Sequence, residues 1–193
     1  MMTPTRVEID SSTPRMVVNG LEITSAPIVR TIYDVLGEPS RVYVPTPAAP
    51  PGHRNNQLHV YDTLGIRVSE HHFTFRAQEI GLTFDCNDPL FAFAPKEPFR
   101  GSLVIDGSAM PLGGPEAEFV HACPLPLQQT LSGLWHWEVD KFYVGLHARG
   151  SKLRSGRRSH QRQVIDLSMS WPHDPWDSSA RTNARLTVGD HEP

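Results

Sequence analysis

Residues 60–68 read VYDTLGIRV, and residues 137–146 read WEVDKFYVGL. Asp62, Leu64, Ile66 and Val68 in the first are spaced as Asp140, Phe142, Val144 and Leu146 are in the second. Each stretch alternates apolar and polar positions beside a turn signal, the pattern of strands with one buried face. Two such stretches about 78 residues apart point to a tandem duplication. The best-patterned positions then serve folding, and recognition falls to what lies between them.

The flanking sequence repeats in the same order. RMVVNGLEI (15–23), with its Asn19–Gly20 turn, matches GSLVIDGSAM (101–110), with Asp106–Gly107. SAPIVRTIYDVLGEP follows the first. Ser25 suits a helix cap, Pro27 suits the first turn, and Ile28, Ile32, Val35 and Leu36 share one helical face. Gly37 and Pro39 end the segment, so a helix over about 26–36 is expected. GGPEAEFVHACP (113–124) supplies the second helix, opened by Pro115, with Glu116 and Glu118 favouring its dipole, and stopped by Pro124. QVIDLSMSW (163–171) matches EIGLTFDC (79–86), with Ile165, Leu167 and Met169 set against Ile80, Leu82 and Phe84.

The expected fold class is α+β: two similar small units, each a short helix packed on an antiparallel sheet in the order β-α-β-β-β. The boundaries are a flexible arm over 1–14, a first unit over 15–86, a linker over 87–99, a second unit over 100–171 and a polar tail over 172–193. One such unit alone buries little surface, so the two are expected to pack together or to share a sheet.

Composition narrows the functional classes. The 193 residues carry a formal charge of −3, with a pI near 6.3 and a mean hydropathy of −0.35. That balance gives no general attraction to nucleic acid or anionic lipid. No apolar run approaches a membrane span, and the first residues lack the apolar core of a secretory signal, so a cytoplasmic location is expected. Cys86 and Cys123 are too few for a disulfide framework.

The chemistry-bearing residues form no known motif. The ten histidines include neither an H-x-x-x-H pair nor a cysteine pair at zinc spacing. His71 and His72 are adjacent and would point to opposite faces of a strand. Cys123, near His121, reads as a thiol on an apolar helical face. Asp62 and Asp140 could do paired acid–base work, but each sits beside a turn where a carboxylate commonly accepts backbone N–H bonds. No metal and no cofactor are expected. The distinctive run is ARGSKLRSGRRSHQR (148–162), which carries Arg149, Lys152, Arg154, Arg157, Arg158 and Arg162 and no acid. Its bland reading is a solvated hairpin tip. Its functional reading is a docking patch for an acidic protein surface, since no aromatic residue interleaves the arginines as in single-strand nucleic-acid platforms. Trp135, Trp137 and Tyr143 are the candidate anchors, with Trp135 and Trp137 on one strand face and His136 on the other.

With VNGLEI, IVRTIYDVLGEPSRV, VYDTLGIRV, IGLTF and FRGSLVIDG on the page, the chain resembles a family of uncharacterised bacterial tandem α+β proteins, over roughly residues 15–110. Those proteins resemble ones encoded beside secreted antibacterial toxins. The helix followed by LGEP is also similar to small outer-membrane assembly lipoproteins and to tandem β-lactamase-inhibitor folds. The chain departs from the lipoproteins in having no lipidation cysteine near its start. The resemblance transfers no catalytic residue. It implies a non-enzymatic protein-binding module, and in its sharpest form an immunity protein that occludes a toxin's active site. The partner-binding candidates are then Lys152, Arg154, Arg157, Arg158, Trp135, Trp137 and Tyr143, with neither nucleic acid nor membrane as partner. An alternative class is a small hydrolase or transferase with a His/carboxylate site between the units. A third is a structural dimerisation module.

Overall fold

The computed structural model describes residues 4–44, 56–71, 74–86, 93–131, 133–139, 142–152 and 158–171, with the backbone alone at 149–152 and 158–161. The elements in chain order are β1 (Arg6–Asp10), β2 (Arg15–Val18), β3 (Leu21–Ile23), α1 (Val29–Leu36), β4 (Arg41–Tyr43), β5 (Gln57–Tyr61), β6 (Ile66–Glu70) and β7 (Ala77–Thr83). They continue as β8 (Ser102–Ile105), β9 (Ser108–Ala109), α2 (Glu116–Ala122), β10 (Gln128–Gln129), β11 (Trp135–Val139), β12 (Phe142–Lys152) and β13 (Arg158–Ser170).

The expected α+β class is wrong. The fold is mostly β, with helices of only eight and seven residues set against two sheets. The helices announce themselves through prolines and a glycine, whereas many strands are short and polar, so sequence patterning overweighted the helices. Nor does each half keep its own sheet. A small sheet runs β3-β2-β1-β8-β9 and a large one runs β10-β11-β12-β13-β7-β6-β5-β4. Both draw strands from both halves.

Residues 15–83 and 102–170 share one element order, two strands, a helix and four strands, rather than the β-α-β-β-β expected. In the large sheet the two meanders meet at β7 and β13, which pair antiparallel with Leu82 opposite Leu167. The register refines which residues correspond. Ile66 pairs with Leu82 and Val144 with Met169, so Met169 answers to Leu82 rather than to Phe84.

Residues 6–10, expected in a loose arm, form the middle strand of the small sheet. β1 lies antiparallel to β2 and parallel to β8, with Val7 and Ile9 buried. The hairpins on either side turn at Asn19–Gly20 and Asp106–Gly107. All four residues have positive φ, as the tight turn favoured by the twist of two strands requires. Asn19 Oδ1 accepts the Arg6 N–H at 2.8 Å, and Asp106 Oδ1 accepts that of Ser11 at 2.7 Å, so each turn also fastens β1.

One apolar cluster joins Val7, Ile9, Met16 and Leu103 of the small sheet, Ile32 and Phe119 of the helices, and Ile66, Leu82, Val144 and Leu167 of the large sheet. α1 begins at Val29, later than expected, because residues 26–28 are drawn into the sheet. Pro27 O accepts the Ala77 N–H at 2.7 Å, and Ile28 bridges Arg76. Gly37, at φ 81°, closes the helix and returns its N–H to Tyr33 O at 2.8 Å.

Each helix is latched to the large sheet at one corresponding position. His59 of β5 stands opposite Val68, and Trp135 of β11 opposite Leu146, the matching pair of the second repeat. The Tyr33 hydroxyl of α1 lies 2.7 Å from His59 Nδ1, and His59 Nε2 lies 2.5 Å from Glu70 Oε2. The imidazole thus links the α1 hydroxyl at one ring nitrogen to the Glu70 carboxyl at the other. In the second repeat Trp135 Nε1–H donates to Glu116 Oε1 of α2 at 2.6 Å, and Arg162 Nε forms an ion pair with Glu116 Oε2 at 3.1 Å. Among the described residues no helix is long and apolar enough to cross a membrane.

Candidate functional site

β12 and β13 run beyond the sheet that holds them. β11 pairs with β12 only from Phe142 to Leu146, and β7 pairs with β13 only from Asp166 to Ser170. Past these points the two strands pair mainly with each other, through Ala148–Val164, Arg149–Gln163, Gly150–Arg162 and Lys152–Arg158. An isolated bridge from Gln163 to Pro115 supports the root. Register shifts after His147 and after Gly150 increase the local twist. Among the described residues this ribbon has no counterpart in the first repeat. From Ile66 to its partner Leu82 is 16 residues, and from Val144 to its partner Met169 is 25. The additional nine residues lie in the basic run.

The charge distribution follows the same division. Residues 148–162 hold six of the 18 basic side chains and no acid. The rest of the chain then carries 12 basic and 21 acidic side chains, a balance of −9. Arg162 is spent on structure: Nη2 donates to Gly133 O at 2.8 Å and to Ala148 O at 2.7 Å, tying the ribbon's root to the 130–134 turn. Arg149, Lys152 and Arg158 take the backbone positions given above. Arg154 and Arg157 lie outside the described residues.

Beside the root, the outer face of the large sheet holds a polar seam between the repeats. Arg67 of β6 crosses Gly81 of β7 and reaches Asp166 of β13, Nη2 to Oδ2, at 2.6 Å; Glu79 Oε1 stands 3.3 Å from the same nitrogen. Thr83 donates to Asp166 Oδ1 at 3.4 Å. Gly81 leaves room for this crossing: a Cβ there would sit 2.6 Å from Arg67 Nε and push the guanidinium aside. Asp166 is fully buried. Burial pushes its carboxyl up to about 7, with Glu79 adding to the rise and Arg67 opposing it. His147, opposite Asp166 in the register, is pushed below the usual imidazole range by partial desolvation and then by the Arg67 charge. Tyr143 lies over Gly145, whose Cβ would come 2.9 Å from its ring, and stacks on His136 with centroids 5.9 Å apart. The Arg67 side chain fills the seam, and both oxygens of Asp166 are engaged.

The other candidates fall as follows. Trp137 is buried and Trp135 is half-buried and bonded to Glu116, so both face the interior; Tyr143 stays on the outer face. Asp62 anchors the connection between the repeats, accepting from Arg41 Nη2 at 3.0 Å and from the Lys96 N–H at 3.1 Å. Its match with Asp140 does not survive the register. The first hairpin closes at Tyr61–Ile66 and the second at Val139–Phe142, a shorter loop, and Asp140 lies outside the described residues. Cys123 is half-buried, and burial pushes its thiol up. Among the described residues no three His, Cys, Asp or Glu side chains gather as a metal site.

Sequence reading missed the Arg67–Glu79–Asp166 seam and the Tyr33–His59–Glu70 latch. Their signals were a charge inside each of the short alternations IRVSE and QVIDLSMS, and a histidine in QLHVY. Neither the curated proteins nor the solved structures yield a match to this chain. A family profile described as a domain of unknown function (DUF7738) matches residues 8–118, from β1 through the first repeat into α2. That is more than half of the chain, which therefore belongs to the DUF7738 family.

Proposed function

We propose that the chain is a non-enzymatic protein-binding module, and specifically an immunity protein that occludes the active site of a bacterial toxin in the cytoplasm. The reading rests on one observation: the second repeat departs from the first by a projecting ribbon, and the chain's positive charge is concentrated in it. A basic ribbon on an otherwise acidic protein orients an approaching acidic partner and raises its association rate. Arginine suits this use because its guanidinium meets a carboxylate through two parallel bonds. Tyr143 and His136 continue the surface from the root of the ribbon along the outer face of the sheet.

The test pairs the chain with the product of the neighbouring gene. Co-expression protects cells from that product, and the two proteins co-purify. Reversing Arg154, Arg157 and Arg158 to Glu lowers the association rate by about 10- to 100-fold at low salt and abolishes protection. No complex and no protection by the wild-type chain would refute the proposal. Binding with an association rate untouched by the triple reversal would remove the ribbon from it.

A further inference from the structure

The ribbon offers a partner more than charge. β11 covers the edge of β12 up to Leu146. The 130–134 turn, fastened by Arg162 to Gly133 O and Ala148 O, closes the edge as far as Ala148. From Arg149 to Lys152, β12 pairs on one side with β13, and among the described residues no strand lies on its other side. An open strand edge is a row of backbone donors and acceptors that accepts another strand.

We propose that the partner contributes an extended acidic segment, which adds as a strand along Arg149–Lys152 in continuation of the position held by β11. This rests on the protein-binding reading above and names its contact. Charge selects the occupant. Two copies of this chain would bring two basic ribbons together, and like charges along an edge oppose such pairing. The edge itself, Arg149 to Lys152, carries two basic residues and no acid in its sequence, which favours a segment with alternating carboxylates. The bulges after His147 and Gly150 twist the edge and limit it to one short segment. Nucleic acid fits less well, since residues 148–162 contain no Phe, Tyr or Trp for base stacking and the remaining chain would repel a polyanion.

The experiment uses the full chain, isotope-labelled, with a peptide of four Glu-Val repeats as probe and peptides of four Lys-Val or four Ser-Val repeats as controls. Chemical shifts report binding, and amide exchange reports strand addition. The Glu-Val peptide is expected to bind at low salt and to slow exchange of outward amides within 149–152 by about tenfold, with no change in the core strands. Binding without added protection overturns strand addition and leaves charge-driven docking standing. Equal binding of the Lys-Val or Ser-Val peptide overturns the selection by charge. No binding of the Glu-Val peptide, or its displacement by an equal concentration of random duplex DNA, overturns the inference as a whole. Failure of the protein-binding reading is scored separately, by the absence of complex and protection with the neighbouring gene product.

Discussion

Asp166→Asn separates two opposed forces at the seam. The carboxyl is fully buried, which favours its neutral form, while Arg67 Nη2 stands 2.6 Å away and favours the charged one. Glu79 shares the same guanidinium, so one positive charge serves two acids. With the carboxyl held at about 7 in the fold, against 3.8 in an exposed chain, the folded protein keeps a proton that the unfolded protein has lost between these values. The folded state binds more protons there, so stability falls as pH rises, by about 1.4 kcal/mol per pH unit. Integrated from pH 5 to pH 8, the loss is about 2–3 kcal/mol, most of it complete by pH 7. Asparagine has nearly the same shape and no proton to lose. Urea melts of wild type and Asp166→Asn at pH 5, 6, 7 and 8 should therefore converge or cross in favour of the variant as pH rises, the difference shifting by about 2–3 kcal/mol. Parallel curves, with a difference constant to within about 0.5 kcal/mol, would mean that Arg67 keeps Asp166 ionised throughout and that pairing outweighs burial.

Three further substitutions probe the scaffold. Gly65→Ala should cost more than about 4 kcal/mol or prevent folding, because Gly65 has φ 68° and its Cβ would lie 2.0 Å from the Phe99 backbone nitrogen, which cannot swing aside; circular dichroism at equal expression reads this directly. Tyr33→Phe leaves the buried His59 Nδ1 without its hydrogen-bond partner and should lower stability by about 1–2 kcal/mol in urea melts, whereas an unchanged midpoint would show that the latch contributes nothing net. Trp135→Phe and Glu116→Gln, which share one bond of 2.6 Å, should show a coupling of about 0.5–2 kcal/mol in a double-mutant cycle, and strict additivity would count against the latch in the second repeat.

The turns and helix ends were legible because single residues dictate them. Asn19–Gly20, Asp106–Gly107, Gly37 and Pro115 stand where their backbone chemistry requires. The balance between helix and sheet was not, since strands such as SA and QQ carry little apolar signal of their own. The place of β1 was hidden for a similar reason: Val7 and Ile9 are two apolar residues in a polar stretch, and one strand they pair with begins at Ser102. The start of α1 moved because Pro27 answers to Ala77, a contact across 50 residues that no local rule contains. The basic run was visible at once, but its length relative to the first repeat emerged only from the register. The seam could not be read, because Arg67 and Asp166 are 99 positions apart and each looks like an ordinary outward charge in its own strand.

β1 belongs to neither copy, yet it lies between β2 of one and β8 of the other. During synthesis it emerges well before β8 and must wait, single-sided, until residue 105 has left the exit tunnel before its parallel neighbour can dock. Cutting the chain between the two similar stretches would yield one fragment with an exposed strand and another with a gap where that strand belongs, so the two stretches fold as one unit or not at all.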